Sequence, residues 1–208
     1  MTRFMKTIVL LPALVILITG CAKTVSFKLS DELNRYKPQS VVVMPVTIES
    51  DSKIIKPDIL ELVRSTAREK LTEKGYFSIT IEEADKLLDD KNLLNKKKLP
   101  APRTLGPIFR TDAVLYTIIT EWNEDQLGSY ASLKIGIRFL LYSTNGSLLW
   151  EGAYSTKQSD FRFDKDATEL GVLKAYEARI QRLEDAIFLS LPRAQIKEEK
   201  QEFYRWLP

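Results

Sequence analysis

Val41-Val42-Val43-Met44-Pro45-Val46 is the stretch on which the fold turns. It is a continuous apolar, β-branched run with no polar alternation, the pattern of a strand covered on both faces. Downstream, Pro57 suits a first helical position, and Ile59, Leu62, Val63, Thr66, Ala67 and Leu71 recur at helical spacing until Gly75 closes the element. Tyr76 to Ile81 then reads as a second strand. A β-α-β unit follows, which favours parallel pairing.

Further along, a short helix is expected from Glu82 with Ala84, Leu87 and Leu88 inward, and one or two helical turns over Thr104 to Phe109. Between them Asn92 to Pro102 is a loop whose Lys96-Lys97-Lys98 run reads as solvated charge. Asp112 to Trp122 is rich in Val, Ile, Thr and Tyr, and Ser129 to Thr144 alternates with period two. One face carries Ala131, Leu133, Ile135, Ile137, Phe139 and Leu141. Asn145-Gly146 is the favoured pair for a type I′ hairpin turn, so Leu148 to Thr156 should return as the antiparallel partner. After a polar loop, Asp166 or Thr168 caps a long helix in which Leu173, Tyr176, Ile180, Leu183 and Ile187 lie along one side and Pro192 ends it. The fold class expected is α/β: a mixed sheet with a β-α-β start, a β-hairpin and a long C-terminal helix packed on the sheet.

Upstream, Arg3 and Lys6 precede an apolar run from Ile8 to Ile18, the layout of a secretory signal. Eleven or so apolar residues at 1.5 Å each are too few to span ~30 Å of hydrocarbon. The run ends in Ile18-Thr19-Gly20-Cys21, which resembles the lipobox of bacterial lipoproteins. That resemblance implies cleavage between Gly20 and Cys21 and a diacylglycerol and palmitate-type acyl modification of Cys21. Three acyl chains of about 15 methylenes at ~0.8 kcal/mol per buried CH₂ give an anchor of tens of kcal/mol. Ala22, in place of Asp, implies the outer membrane. The expected organisation is a signal peptide over 1–20, a lipidated N-terminus and tether over 21–38, the α/β domain over 39–192 and a tail over 193–208. Within the tether, Phe27, Leu29 and Leu33 could instead pack back on the domain, and both alternatives stand.

Loss of residues 1–20 lowers Lys+Arg from 31 to 29 against 28 acids, so the mature chain is nearly neutral and offers nucleic acid no basic surface. The chain has no histidine, and its one cysteine is claimed by the lipid. Histidine-based triads, His-ligated metals, thiolate nucleophiles and intrachain disulfides are therefore excluded. No metal or other cofactor is expected beyond the covalent lipid, and no enzyme. Glu121, Glu124 and Asp125, near a strand end, could hold a cation but read better as a solvated acidic loop. In the tail, Phe203, Tyr204, Trp206 and Leu207 are four large apolar residues that either dock on the domain or meet a partner.

The order of motifs resembles a known family. Lys37-Pro38-Gln39-Ser40 before Val41-Val42-Val43-Met44-Pro45, then Leu71-Thr72-Glu73-Lys74-Gly75-Tyr76, Phe109-Arg110-Thr111-Asp112-Ala113 and Asn145-Gly146-Ser147-Leu148-Leu149-Trp150-Glu151-Gly152 are similar to bacterial lipoproteins of the neisserial GNA series. Arg110-Thr111 stand where that family tends to have Gly-Ala. The resemblance implies a fold like the N-terminal domain of TolB, distantly related to the curli secretion lipoprotein CsgG. It also implies an accessory role in envelope transport or assembly, with the membrane and other cell-envelope proteins as partners. The alternative is a homo-oligomeric, CsgG-like secretion pore subunit, because an alternating hairpin is also what a membrane barrel shows.

Overall fold

The β-branched run at 41–43 lies inside a seven-stranded mixed sheet, seen in a computed structural model that describes residues 25–49, 55–93, 99–127, 130–162 and 169–195. The elements are β1 (Ser26–Leu29), α1 (Asp31–Tyr36), β2 (Ser40–Val43), β3 (Thr47–Ile48), α2 (Pro57–Glu73), β4 (Phe77–Ser78), α3 (Ile81–Asp90), α4 (Pro102–Phe109), β5 (Ala113–Leu127), β6 (Tyr130–Ser143), β7 (Leu148–Arg162) and α5 (Glu169–Phe188). The strand order is β1-β7-β6-β5-β2-β4, with β3 added on β5. β2 pairs in parallel with both β4 and β5, while β5-β6-β7-β1 is antiparallel throughout.

Two helical layers explain why residues 41 to 44 show no alternation. Val41 and Val43 join the core under α2 and α5, and Val42 and Met44 join a second core under α3 and α4. Both faces are dry, as a fully buried strand requires.

Local chemistry sets the helix ends. Pro57 begins α2, and at its C-terminus the Tyr76 amide donates to the Leu71 carbonyl (3.0 Å) while the Gly75 amide donates to Thr72 (2.9 Å), the paired bonds of a Schellman cap. Thr80 caps α3 by accepting from the Glu83 amide at 3.1 Å. Arg64, inside the α2 stripe, is buried: Nε and Nη2 donate to the Val43 carbonyl at 3.2 and 3.1 Å, and Nη1 reaches Asp85 at 2.7 Å. One side chain thus joins α2, the end of β2 and α3. Asp112 does the same for the strand starts, its Oδ2 accepting from the Gln39 and Ser40 amides at 2.8 and 3.0 Å.

Arg110 ends α4 in the left-handed region at φ 53°. A side chain there costs about 1 kcal/mol or more, and this is the position where the resemblance has glycine. Arg110→Gly is expected to stabilise the protein by about 1 kcal/mol, read as an upward shift of the denaturant midpoint at unchanged slope.

Several expectations change. The segment before Pro38 is not a tether along its length: β1 pairs with β7 from Ser26↔Ala153 to Leu29↔Trp150, and Leu33 of α1 is buried. Of the two alternatives, docking holds for this part, yet Phe27 and Leu29 stay 60% and 42% exposed because backbone hydrogen bonds, not side-chain burial, hold the strand. Residues 26–36 are therefore part of the folded domain. The second strand shrinks to Phe77–Ser78, and β3 is added. Asn145-Gly146 does not form a type I′ turn. Only Gly146 has positive φ (93°), and the Gly146 amide donates to the Ser143 carbonyl at 2.9 Å, giving a type I turn followed by a left-handed glycine. Asn145 instead uses its side chain, whose Oδ1 accepts from the Ser147 amide at 3.1 Å. β5 runs on to Leu127, so Glu121, Glu124 and Asp125 lie within a paired strand and not in a loop.

Candidate functional site

The two faces of the sheet are unequally covered. On the α2/α5 side, Ile135, Ile137, Phe139 and Leu141 of β6 and Trp150 of β7 are buried beneath α5 through Tyr176, Ile180, Leu183 and Ile187. On the other side, α3 and α4 pack over β2 and the first part of β5. Register places Leu140 and Tyr142 of β6 on that face beside Tyr116 and Val114 of β5. What α3 and α4 leave uncovered is an open groove of about 470 Å³.

Its floor is Tyr116, Ile118, Leu140 and Tyr142, and its wall is the segment 99–102, Leu-Pro-Ala-Pro, which leads into α4. The Tyr116 hydroxyl donates to the Pro100 carbonyl at 2.6 Å and so fixes the wall to the floor. Burial pushes the Tyr116 phenol above its ordinary range, which keeps it a donor at every physiological pH. Tyr142 meets the Tyr116 ring edge to face, with centroids 5.9 Å apart. Thr47 closes one end while its hydroxyl donates to the Thr117 carbonyl at 3.3 Å. Tyr116→Phe should cost about 1 kcal/mol and loosen the wall, seen as faster amide exchange of residues around 99–101.

Beyond the groove, two ion pairs lie on this face. Arg138 meets Glu49 at 2.6 Å, and Lys134 is ion-paired with Glu121, which also accepts from the Ser155 hydroxyl. The groove itself is lined by apolar side chains and by hydroxyls, two of them already engaged in donation. Such a surface suits an apolar segment better than a charged small molecule.

The residues singled out in the sequence fall as follows. Gly20 and Cys21 lie outside the described residues, as do Phe203, Tyr204, Trp206 and Leu207 and the Lys96-Lys97-Lys98 run. Tail residues up to Gln195 are docked: the Ala194 amide donates to the Lys74 carbonyl at 2.9 Å, and Gln195 Nε2 donates to Asn34 at 3.0 Å. Glu121 is engaged as above, and the side chains of Glu124 and Asp125 lie outside the description. Among the described residues no group of three acidic, Cys or His side chains could hold a metal ion. The groove escaped the sequence because its parts come from four separate segments, and only the alternation of β6 hinted at them.

Residues 30–187 match the family described as Putative lipoprotein GNA1162-like. The chain belongs to this GNA1162-like lipoprotein family. Putative lipoprotein NMB1124/NMB1162 of Neisseria meningitidis serogroup B (strain ATCC BAA-335 / MC58) is 30% identical over 163 residues, 74% of this chain and 72% of the relative. The crystal structure of lipoprotein GNA1162 from N. meningitidis has the same fold, with a TM-score of 0.52 at 21% identity over 70% of this chain and 96% of that one. The PelC dodecamer from Paraburkholderia phytofirmans is 15% identical with a TM-score of 0.46 over 83% and 99% of the two chains, a likeness that says nothing of assembly here. The GNA1162-like match takes in α1 and the whole groove. It begins after Cys21 and ends before the tail, so it rests on the domain and not on the lipobox.

Proposed function

We propose that the protein is an outer-membrane lipoprotein, anchored through Cys21, that serves as a non-catalytic protein-binding module of an envelope transport or assembly system. The observation that carries the binding role is the apolar groove between β5, β6 and the 99–102 wall, beside which the nearby charges of Arg138 and Lys134 are taken up by Glu49 and Glu121. Family membership supports the anchor, and Ala22 after Cys21 supports the outer membrane. The partner's contribution is an extended or helical apolar segment of another envelope protein.

A photocrosslinking residue placed at Leu140 or Ile118 in intact cells tests this. The expected result is one envelope protein captured at both positions and not at Glu61, on the outer side of α2. Capture of nothing, or equal capture at Glu61, would contradict it. Capture of a second copy of this chain would favour the homo-oligomer. The pore alternative meets a physical obstacle in the fold: Ile135, Ile137, Phe139 and Leu141 are buried under α5, so a membrane-facing hairpin would first have to shed that helix.

A further inference from the structure

The two edges of the sheet differ in what they offer. β4 ends one side; it is two residues long, and beside it Arg68 of α2 donates to the carbonyls of Ile79 (2.9 Å) and Ser78 (3.4 Å). A short, obstructed edge of this kind resists further pairing. β1 ends the other side, and there the backbone is open. The Ser30 amide donates to the Leu149 carbonyl at 3.1 Å, which makes these two a hydrogen-bonded pair of the antiparallel ladder. Alternation then turns the main-chain groups of Ser26 and Lys28 toward β7 and those of Phe27 and Leu29 outward. The two outward N–H and two outward C=O groups have no partner among the described residues.

The side chains along this edge add a pattern to the backbone. Phe27 and Leu29 stand opposite Gly152 and Trp150, on the α5 face of the sheet, and are largely exposed. Lys28 projects from the other face, exposed and without an ion pair among the described residues.

We propose that β1 is a docking edge for an antiparallel strand of a partner protein, one that sets an acidic residue opposite Lys28 between apolar residues opposite Phe27 and Leu29. Such a segment satisfies all four open backbone groups, extends the apolar face beside α5 and pairs the cation. A second copy of this chain fits badly. The two-fold pairing that uses all four groups sets Phe27 opposite the second copy's Leu29 and the two Lys28 side chains opposite each other, and like charges so placed repel. The chain's own tail fits no better, because its one alternating triplet, Tyr204-Arg205-Trp206, brings a second cation over Lys28. β7 separates this edge from the groove on β5 and β6, so occupancy of one does not require the other.

The detergent-extracted full chain is titrated with a fluorescein-labelled peptide carrying Val-Glu-Val in a Ser/Thr host, and with a Val-Lys-Val counterpart. Val-Glu-Val should bind saturably and several-fold more tightly, and should slow amide exchange at Phe27 and Leu29. Lys28→Glu should reverse the preference between the two peptides, which a loss of folding cannot mimic. Phe27→Pro removes an outward amide and no bond to β7, so it should abolish binding of both peptides at an unfolding midpoint close to that of the wild type. No saturable binding at millimolar peptide, equal affinity for the two peptides in both backgrounds, or binding that survives Phe27→Pro overturns the proposal. So does an edge already occupied, seen as slow exchange at Phe27 and Leu29 without peptide or as a dimer that Phe27→Pro converts to monomer.

Discussion

Glu184→Gln is expected to stabilise the protein at pH 7 and to lose that advantage as the pH falls to 4. Glu184 lies on the core side of α5 between Ile180, Leu183 and Ile187, is fully buried, and neither carboxyl oxygen has a hydrogen-bond partner among the described residues. Lys70 of α2, the neighbouring cation, is engaged by Asp185 at 2.8 Å and Glu73 at 3.0 Å. Burial therefore pushes the Glu184 carboxyl well above its ordinary value of 4.5; Lys70 opposes this and Asp185 adds to it.

The sign follows from proton binding. Between the unfolded and folded pKa values the folded state holds the extra proton, so stability is complete below about pH 4.5 and declines as the pH rises toward the folded pKa. Glutamine keeps the shape without the proton cost. Glu184→Met should gain a further ~1 kcal/mol or more at every pH by removing an unpartnered polar group. Guanidinium unfolding of detergent-extracted protein between pH 4 and 8 measures this. A wild-type midpoint that rises between pH 5 and 7 relative to Glu184→Gln would show that the carboxyl is charged and partnered after all.

The second large effect is at Gly152. A methyl group built there lies 2.5 Å from Cζ2 of Trp150 and 2.6 Å from Cγ2 of Ile187. Neither neighbour can give easily. Trp150 donates its indole N–H to the Ser190 hydroxyl at 3.1 Å and packs against Phe139 and Phe188, while Ile187 holds α5 onto β7. Gly152→Ala should cost about 3 kcal/mol and Gly152→Val more, with α5 displaced and Trp150 fluorescence shifted to the red. Adding Ile187→Ala should restore part of the loss, so that the double variant is less damaged than the two single costs summed. Strict additivity would mean that the glycine serves something other than the approach of α5.

These two residues also show how much the sequence made legible. The strand at 41–43, the closure of α2 at Gly75, the β6–β7 hairpin and the stripe of α5 follow from short-range patterns, and each stands in the fold. Gly152 could be noticed as part of a motif, but its reason is the approach of a helix that begins many residues later. Glu184 reads as solvent-facing because a charged residue beside an apolar stripe usually is, and only the packing of α2 on α5 buries it. Whether β1 and α1 belong to the tether or the domain stays open in the sequence because Ser-Phe-Lys-Leu leaves its apolar side chains exposed, so no burial pattern marks it. The groove assembles from separate segments and has no linear signature.

Fractionation of cells producing the Cys21→Ser chain is the most direct test of the anchored module. The variant should keep a folded α/β domain, with an unfolding midpoint like that of the wild type, and should leave the membrane fraction for the soluble one. A folded Cys21→Ser protein that still sediments with membranes would contradict lipid anchoring at this cysteine.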